Sequence, residues 1–188
     1  MLTAELTDSL AEETIDSKMV FDGRLMKVRQ DTVRLPDGSV GTREYTEHPG
    51  AAMIVPVMAD GRLVMERQYR YPLRQVFLEF PAGKTDAGEN PLQTAKRELL
   101  EETGYVAEHF EYLTTINPVI SYSTERIVIY RATGLSLQRP LLDPGEFLEI
   151  VTISLSELME KIRHGLVSDA KTIVGAFWLD KLKNDTAW

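Results

Sequence analysis

From Met19 the polar and apolar positions fall into short runs of strand type: MVFDG, RLMKVRQDTVRL and, past Pro36-Asp37-Gly38-Ser39, VGTREYTEH. Pro-Asp-Gly between such runs predicts a turn, since proline presets one backbone angle and glycine accepts positive φ. Within KVRQDTVRL, Val28, Gln30, Thr32 and Arg34 alternate with Arg29, Asp31, Val33 and Leu35, so neither face is cleanly apolar. A hairpin with a poorly buried face gains cover from its own domain or from a second subunit. Residues 17–48 are read as a small antiparallel sheet used in dimerisation. Residues 1–16 are compatible with a short helix or an arm without fixed structure, and the pattern leaves both open.

Pro49-Gly50 marks a boundary, dividing the chain into 1–48 and 49–188. AAMIVPVM then reads as a buried strand, and Asp60-Gly61 as a tight turn into RLVMERQYR. Leu73 to Phe80 is another strand, as are HFEYLTTI, TERIVIYRATGL and EFLEIVTISL further on. Ser154 or Ser156 caps a helix whose stripe is Leu158, Met159 and Ile162, ending at Gly165. A last helix follows Ser168-Asp169, with Ile173, Val174, Phe177, Trp178 and Leu182 at helical spacing, and Trp178 is assigned to the core. Strands interleaved with three helices predict an α/β sandwich with a mixed sheet, preceded by the small antiparallel N-terminal sheet.

The remaining helix is the chemically loaded one. Asn90-Pro91 is a capping side chain followed by a proline at the first helical position, and Gly104 is a natural stop. On it, Glu98 stands three residues before Glu101 and four before Glu102, so three carboxylates share one face. Like charges at these spacings weaken a helix. A hard divalent cation reverses the sign, because Mg2+ prefers carboxylate oxygens and completes its shell with waters and phosphates. Taken alone, Glu101-Glu102 reads as a solvated acidic face.

Composition narrows the partners. The 188 residues carry a formal net charge of −8, with no basic run, which argues against nucleic acid and anionic membranes. The chain has no cysteine, which excludes disulfides, thiol catalysis and zinc–thiolate sites. Its three histidines, His48, His109 and His164, are scattered and receive no metal role. The N-terminal MLTAELTDSLAEETIDSK is polar and acidic, unlike a signal peptide, so a cytoplasmic protein is expected.

Gly83, Glu89, Arg97, Glu98, Leu99, Glu101, Glu102, Gly104 and Tyr105 fall in the pattern G-x5-E-x7-R-E-U-x-E-E-x-G-U, in which U is a bulky apolar residue. The segment resembles the box of the Nudix hydrolase family; Tyr105 is an aromatic where an aliphatic is usual. Arg67-Gln68-Tyr69-Arg70-Tyr71-Pro72, then Leu78-Glu79-Phe80-Pro81-Ala82-Gly83, is similar to the stretch before the box in ADP-ribose and nucleoside diphosphate sugar hydrolases. Pro118, past the box, looks like a marker of the same subfamily.

The resemblance implies an α/β/α sandwich and hydrolysis of a nucleoside diphosphate linked to another moiety. It implies Mg2+, with Mn2+ as a substitute, held by Glu98 and Glu102, with Glu101 next and the carbonyl of Ala82 as a further ligand. Arg97 then orients a glutamate, and Glu89 holds the box loop in shape. The base is a glutamate outside the box, Glu146 or else Glu149, in the Asp143-Pro144-Gly145 stretch. For substrate binding, Arg70 reaches a diphosphate oxygen, and Arg67 does the same or pairs with Glu79. Tyr45 and Arg43 contact the base across a homodimer interface. Cleavage of ADP-ribose to AMP and ribose 5-phosphate is the expected reaction. The alternatives are a nucleoside triphosphate or dinucleoside polyphosphate hydrolase and a non-catalytic ligand sensor.

Overall fold

A computed structural model describes residues 8–138 and 147–184. The chain divides into two compact units: Met1–His48 with Val119–Glu125, and Pro49–Pro118 with Arg126–Trp188.

In the first unit, β1 (Glu13–Asp22), β2 (Lys27–Arg34) and β3 (Val40–Glu47) form an antiparallel sheet in that order. The first strand begins at Glu13, earlier than the Met19 expected. Glu13-Thr14-Ile15-Asp16 alternates too weakly to be read as a strand, and it is the ladder to β2 that draws it into the sheet. All ten residues of β1 are exposed. Burial concentrates on β2, at Asp31 and Val33. The segment Val119–Glu125 joins this sheet from far along the chain. Thr46 N–H donates to Tyr122 O at 2.9 Å, and Thr124 N–H donates to Thr46 O at 3.0 Å.

The second unit is built on β4 (Ala51–Pro56), every residue of which is buried. Two sheets run through it. One has the order β10 (Leu148–Ile153), β5 (Leu63–Arg70), β6 (Gln75–Glu79); the other has β7 (Ala82–Lys84), β4, β9 (Ile127–Leu137), β8 (Tyr105–Ile116). The β4–β9 pair is parallel and the other pairs are antiparallel, so the second sheet is mixed. Alternation along β4 sends its side chains into two cores. Ala52 and Ile54 pack with Ala95 and Leu99 of helix α1 (Pro91–Thr103). Met53 and Val55 pack with Leu63, Met65, Phe80, Leu158 and Ala176. Leu158 belongs to α2 (Leu155–Arg163), and Ala176 to α3 (Ala170–Asn184), where Trp178 also packs against this core. Helices on both faces of a doubly buried strand make the expected α/β/α layering.

Helix α1 starts and stops as its sequence dictates. The Asn90 side chain accepts from Leu92 and Gln93 N–H, and the Gln93 side chain accepts from Asn90 N–H, closing a capping box. Gly104 ends it at φ 74°, in the left-handed region. Ser154 is the residue that caps α2, and Asp169 Oδ2 accepts from Thr172 N–H at the start of α3.

The strand expected from Leu73 is shorter. A 3₁₀ turn occupies Tyr71–Leu73, Arg74 adopts φ 56°, and β6 begins only at Gln75. Pro72 favours the turn, and the Arg74 guanidinium lies 3.7 Å from the Tyr71 ring centroid, holding the corner. Conversely, β8 begins at Tyr105 rather than His109, directly after the helix stop.

Candidate active site

The acidic face of α1 meets the short strand β7 that precedes it. Register pairs Met53 with Ala82 and Ala52 with Gly83, so β7 lies against β4 and carries its main chain to the helix. Ala82 N–H donates to Glu102 Oε2 at 3.0 Å. A Cβ on Gly83 would stand 1.8 Å from Glu98 Oε1 and 2.0 Å from its Cδ, so only glycine lets the strand sit this close to that carboxylate. Glu98 and Glu102 are 8% and 5% exposed, although both are glutamates on a surface helix.

Arg97 gathers the other acids. Its Nε and Nη2 donate to Glu89 Oε1 and Oε2 at 2.9 and 3.0 Å. Its Nη1 donates to Glu98 Oε1 at 2.7 Å and Glu101 Oε2 at 3.0 Å, and Nη2 also reaches Lys84 O at 2.9 Å. Glu89 further accepts from Asp86 N–H and Thr94 Oγ1–H, which keeps it inside the loop. The hydrogen bonds from Arg97 hold the Glu89 carboxyl down at about 2, and the guanidinium is raised in return.

Strand β5 supplies a second polar group. Glu66, Gln68 and Arg70 alternate onto one face, and register sets Glu66 opposite Glu79 of β6. Arg70 Nε and Nη2 donate to Glu79 Oε1 and Oε2 at 2.7 and 2.8 Å, and Lys171 Nζ donates to Glu79 Oε2 as well. Burial raises Glu79, but Arg70 and Lys171 outweigh it and hold this 2%-exposed carboxylate ionised. Thr172, next along α3, fixes the geometry by accepting Phe80 N–H on Oγ1 at 3.1 Å. Glu66 is wholly buried, and burial first, then the Glu79 charge, push its carboxyl up to about 7, with Arg70, Lys171 and the Glu102 side chain opposing.

The expected site residues therefore separate into groups. Ala82, Arg97, Glu98, Glu101 and Glu102 converge at the start of β7 and on α1, and Arg70 and Glu79 pair on the inner face of β5–β6. Arg67 does not pair with Glu79. One residue out of phase with Glu66, it points to the opposite face and bonds Glu149, its register partner on β10. Glu149 thus stands on that opposite face. Tyr45 and Arg43 belong to the first unit, where Tyr45 O–H donates to Asp31 Oδ2 at 3.0 Å and Arg43 bonds Glu12. Both line an open hollow of about 370 Å³ that Ile120–Thr124 also line. Glu146 lies outside the described residues. Two participants escaped the sequence reading. Glu66 stood among mixed charges at a strand end, where only knowing which face is inward sets it apart. Lys171 meets Glu79 through tertiary packing alone, and its sequence neighbourhood carries no signal.

The donor set fits a hard divalent cation: two buried carboxylates one turn apart with a main-chain turn bonded against them. Among the described residues no three acidic or histidine side chains already converge on one point, so main-chain oxygens and waters would complete a shell. No described helix is long and apolar enough to cross a membrane.

Comparisons with known proteins agree with this geometry. The NUDIX domain family matches residues 47–173, and the nucleoside diphosphate sugar hydrolase N-terminal domain family matches residues 12–46. A methanol dehydrogenase activator of Bacillus methanolicus is 38% identical over 170 residues, covering 89% of this chain and 92% of its own. An ADP-ribose pyrophosphatase of Bacillus subtilis is 36% identical over 166 residues, covering 87% and 90%. The crystal structure of an ADP compounds hydrolase superposes with a TM-score of 0.82 at 25% identity, covering 91% of this chain and 93% of its own. With the box helix, its glycine turn and its arginine clasp assembled as described, the chain belongs to the Nudix hydrolase family, whose members generally need a divalent metal.

Proposed function

We propose that the protein is a Mg2+-dependent pyrophosphohydrolase of ADP-ribose and related nucleoside diphosphate sugars, giving a nucleoside monophosphate and a sugar phosphate. The observation that carries it is the burial of Glu98 and Glu102 against Ala82–Gly83 of β7, a place that ionised side chains occupy at a cost unless a cation offsets it. The match of residues 12–46 to the N-terminal domain of nucleoside diphosphate sugar hydrolases supports the substrate class.

Bound Mg2+ would neutralise diphosphate charge and polarise the attacking water. Glu98, Glu102 and the Ala82 carbonyl hold it, with Glu101 in reserve, and Mn2+ can take its place. Arg97 keeps Glu98 and Glu101 aimed by spending one nitrogen on both. Arg70 binds a diphosphate oxygen. Glu79 accepts from two of the five Arg70 N–H donors and fixes the fork, leaving the rest for substrate. Glu79 and Lys171 are positioning residues in this scheme. Water attacks phosphorus, the bridging P–O bond breaks, and the released phosphate leaves with the sugar. The base is Glu146, which precedes β10 in the sequence.

Tyr45 and Arg43 contact the nucleobase, and the protein works in the cytoplasm as a homodimer. Tyr45→Ala should raise KM about tenfold with kcat nearly unchanged; an unaltered KM removes Tyr45 from the site. The reading as a whole is tested by incubating the protein and Mg2+ with ADP-ribose, ADP-glucose, GDP-mannose, nucleoside triphosphates and dinucleoside polyphosphates, and identifying products. AMP and ribose 5-phosphate from ADP-ribose at the highest kcat/KM support it. A preference for triphosphates, or no turnover, overturns it.

A further inference from the structure

Strand β5 lies outside the box, yet it carries acceptors that meet no donor. Glu66 is wholly buried, and neither carboxylate oxygen receives a hydrogen bond from any amide, hydroxyl, ammonium or guanidinium group among the described residues. Two positions along, on the same face, the Gln68 Oε1 atom is also buried without a donor among the described residues. A side chain that interacts with Glu66 is another acid, Glu102. Across the ladder stands Glu79, but its oxygens are already engaged by Arg70 and Lys171.

Orphaned acceptors inside a protein are costly, and two acids in contact doubly so. Two remedies exist for an acid pair. A proton shared between Glu66 and Glu102 would relieve their repulsion, but it would leave the Gln68 oxygen unsatisfied. A divalent cation takes carboxylate and carboxamide oxygens alike and relieves all of them at once. Mg2+ characteristically uses one or two carboxylates and completes its shell with waters, so two acids and an amide are a sufficient protein share.

We propose that Glu66 and Gln68 extend the cation site of the box onto β5, so that a divalent ion is bridged between Glu102 on the helix and Glu66 on the strand. This rests on the reading of Glu102 as a cation ligand and goes beyond it, since the box contains neither β5 residue. The bridge ties together the helix that holds the metal and the strand that carries Arg70. Binding the cation thereby sets the distance between metal and diphosphate clamp before substrate arrives.

The test uses Mn2+ alone, with the full-length chain and no substrate. Mn2+ binding is followed by titration calorimetry and electron paramagnetic resonance on the unmodified protein, Glu66→Gln and Glu98→Gln. The expected result is that Glu66→Gln loses one bound ion per chain or weakens its affinity at least about tenfold. Crystals soaked in Mn2+ should show an anomalous peak within about 2.5 Å of a Glu66 oxygen. Weaker loss in a folded Glu66→Gln chain, or a soaked crystal with no peak beside Glu66, overturns the proposal. If Glu66→Gln does not fold, the soaked crystal of the unmodified chain decides. Binding abolished by Glu98→Gln but kept by Glu66→Gln leaves the proposed hydrolase standing and removes only the bridge. An unmodified chain that binds no Mn2+ removes both.

Discussion

Individual side chains in this protein are decided by closeness more than by type. Gly83 is the plainest instance. Alanine at this position would place a methyl group inside the Glu98 carboxylate, and β7 cannot retreat while it is paired with β4. Gly83→Ala should therefore cut kcat by roughly 10²-fold or more, by displacing a ligand, while the melting temperature moves little. Steady-state kinetics beside thermal melting check it, and near-normal turnover would show that Glu98 is not needed where it stands. Glu102→Gln should cost a similar factor or more with the fold intact, because the amide keeps the shape of the side chain and loses its charge. Full activity in that variant would dismiss Glu102 as a ligand. The box residues were legible in the sequence because their spacing alone places them on one helix face. Glu66 and Lys171 were not. Which face of β5 looks inward depends on β6 and β10, and Lys171 reaches Glu79 only once α3 is docked.

At the level of elements, α1 was readable from both ends, since Asn90-Pro91 and Gly104 are local instructions that neighbouring structure does not override. Strand limits were less readable. The corner at Tyr71–Arg74 depends on a ring–guanidinium contact as well as on Pro72, and β7 is three residues long and exists only as a partner of β4. The loop before α1 is held by the Glu89–Arg97 pair, and this gives a pH signature. The Glu89 carboxyl is held at about 2 in the folded chain against an ordinary 4.5. A depressed carboxylate contributes stability that is complete above its unfolded value and fades as the pH falls toward the folded one. Glu89→Gln should thus be less stable than the parent at pH 7, with the gap narrowing below about pH 4.5 and closing near pH 2. Urea denaturation of both chains across this range measures it, and a gap that stays constant would show that the pair does not support the loop.

On the scale of the whole molecule, the first unit exposes its outer strand along its full length. Every residue of β1 is exposed, and Met19, Val20 and Phe21 lie on it. An outer strand of this kind presents unpaired main-chain groups and apolar side chains together. With a second copy covering it, sedimentation should give about twice the 21.3 kDa of one chain. Phe21→Lys should shift the equilibrium to the single-chain mass while circular dichroism stays unchanged. A single-chain mass for the parent at micromolar concentration would rule out the homodimer. The alternation in residues 17–48 indicated this sheet, but it could not indicate what completes it.

That completion comes from Val119–Glu125, whose main chain bonds Thr46 on both sides. The first compact unit thus keeps the break at Pro49 and takes in a segment from beyond it. During synthesis its strands wait for some seventy intervening residues before the segment Val119–Glu125 emerges. A gene cut after His48 would separate Thr46 from the main-chain groups of Tyr122 and Thr124 that it bonds.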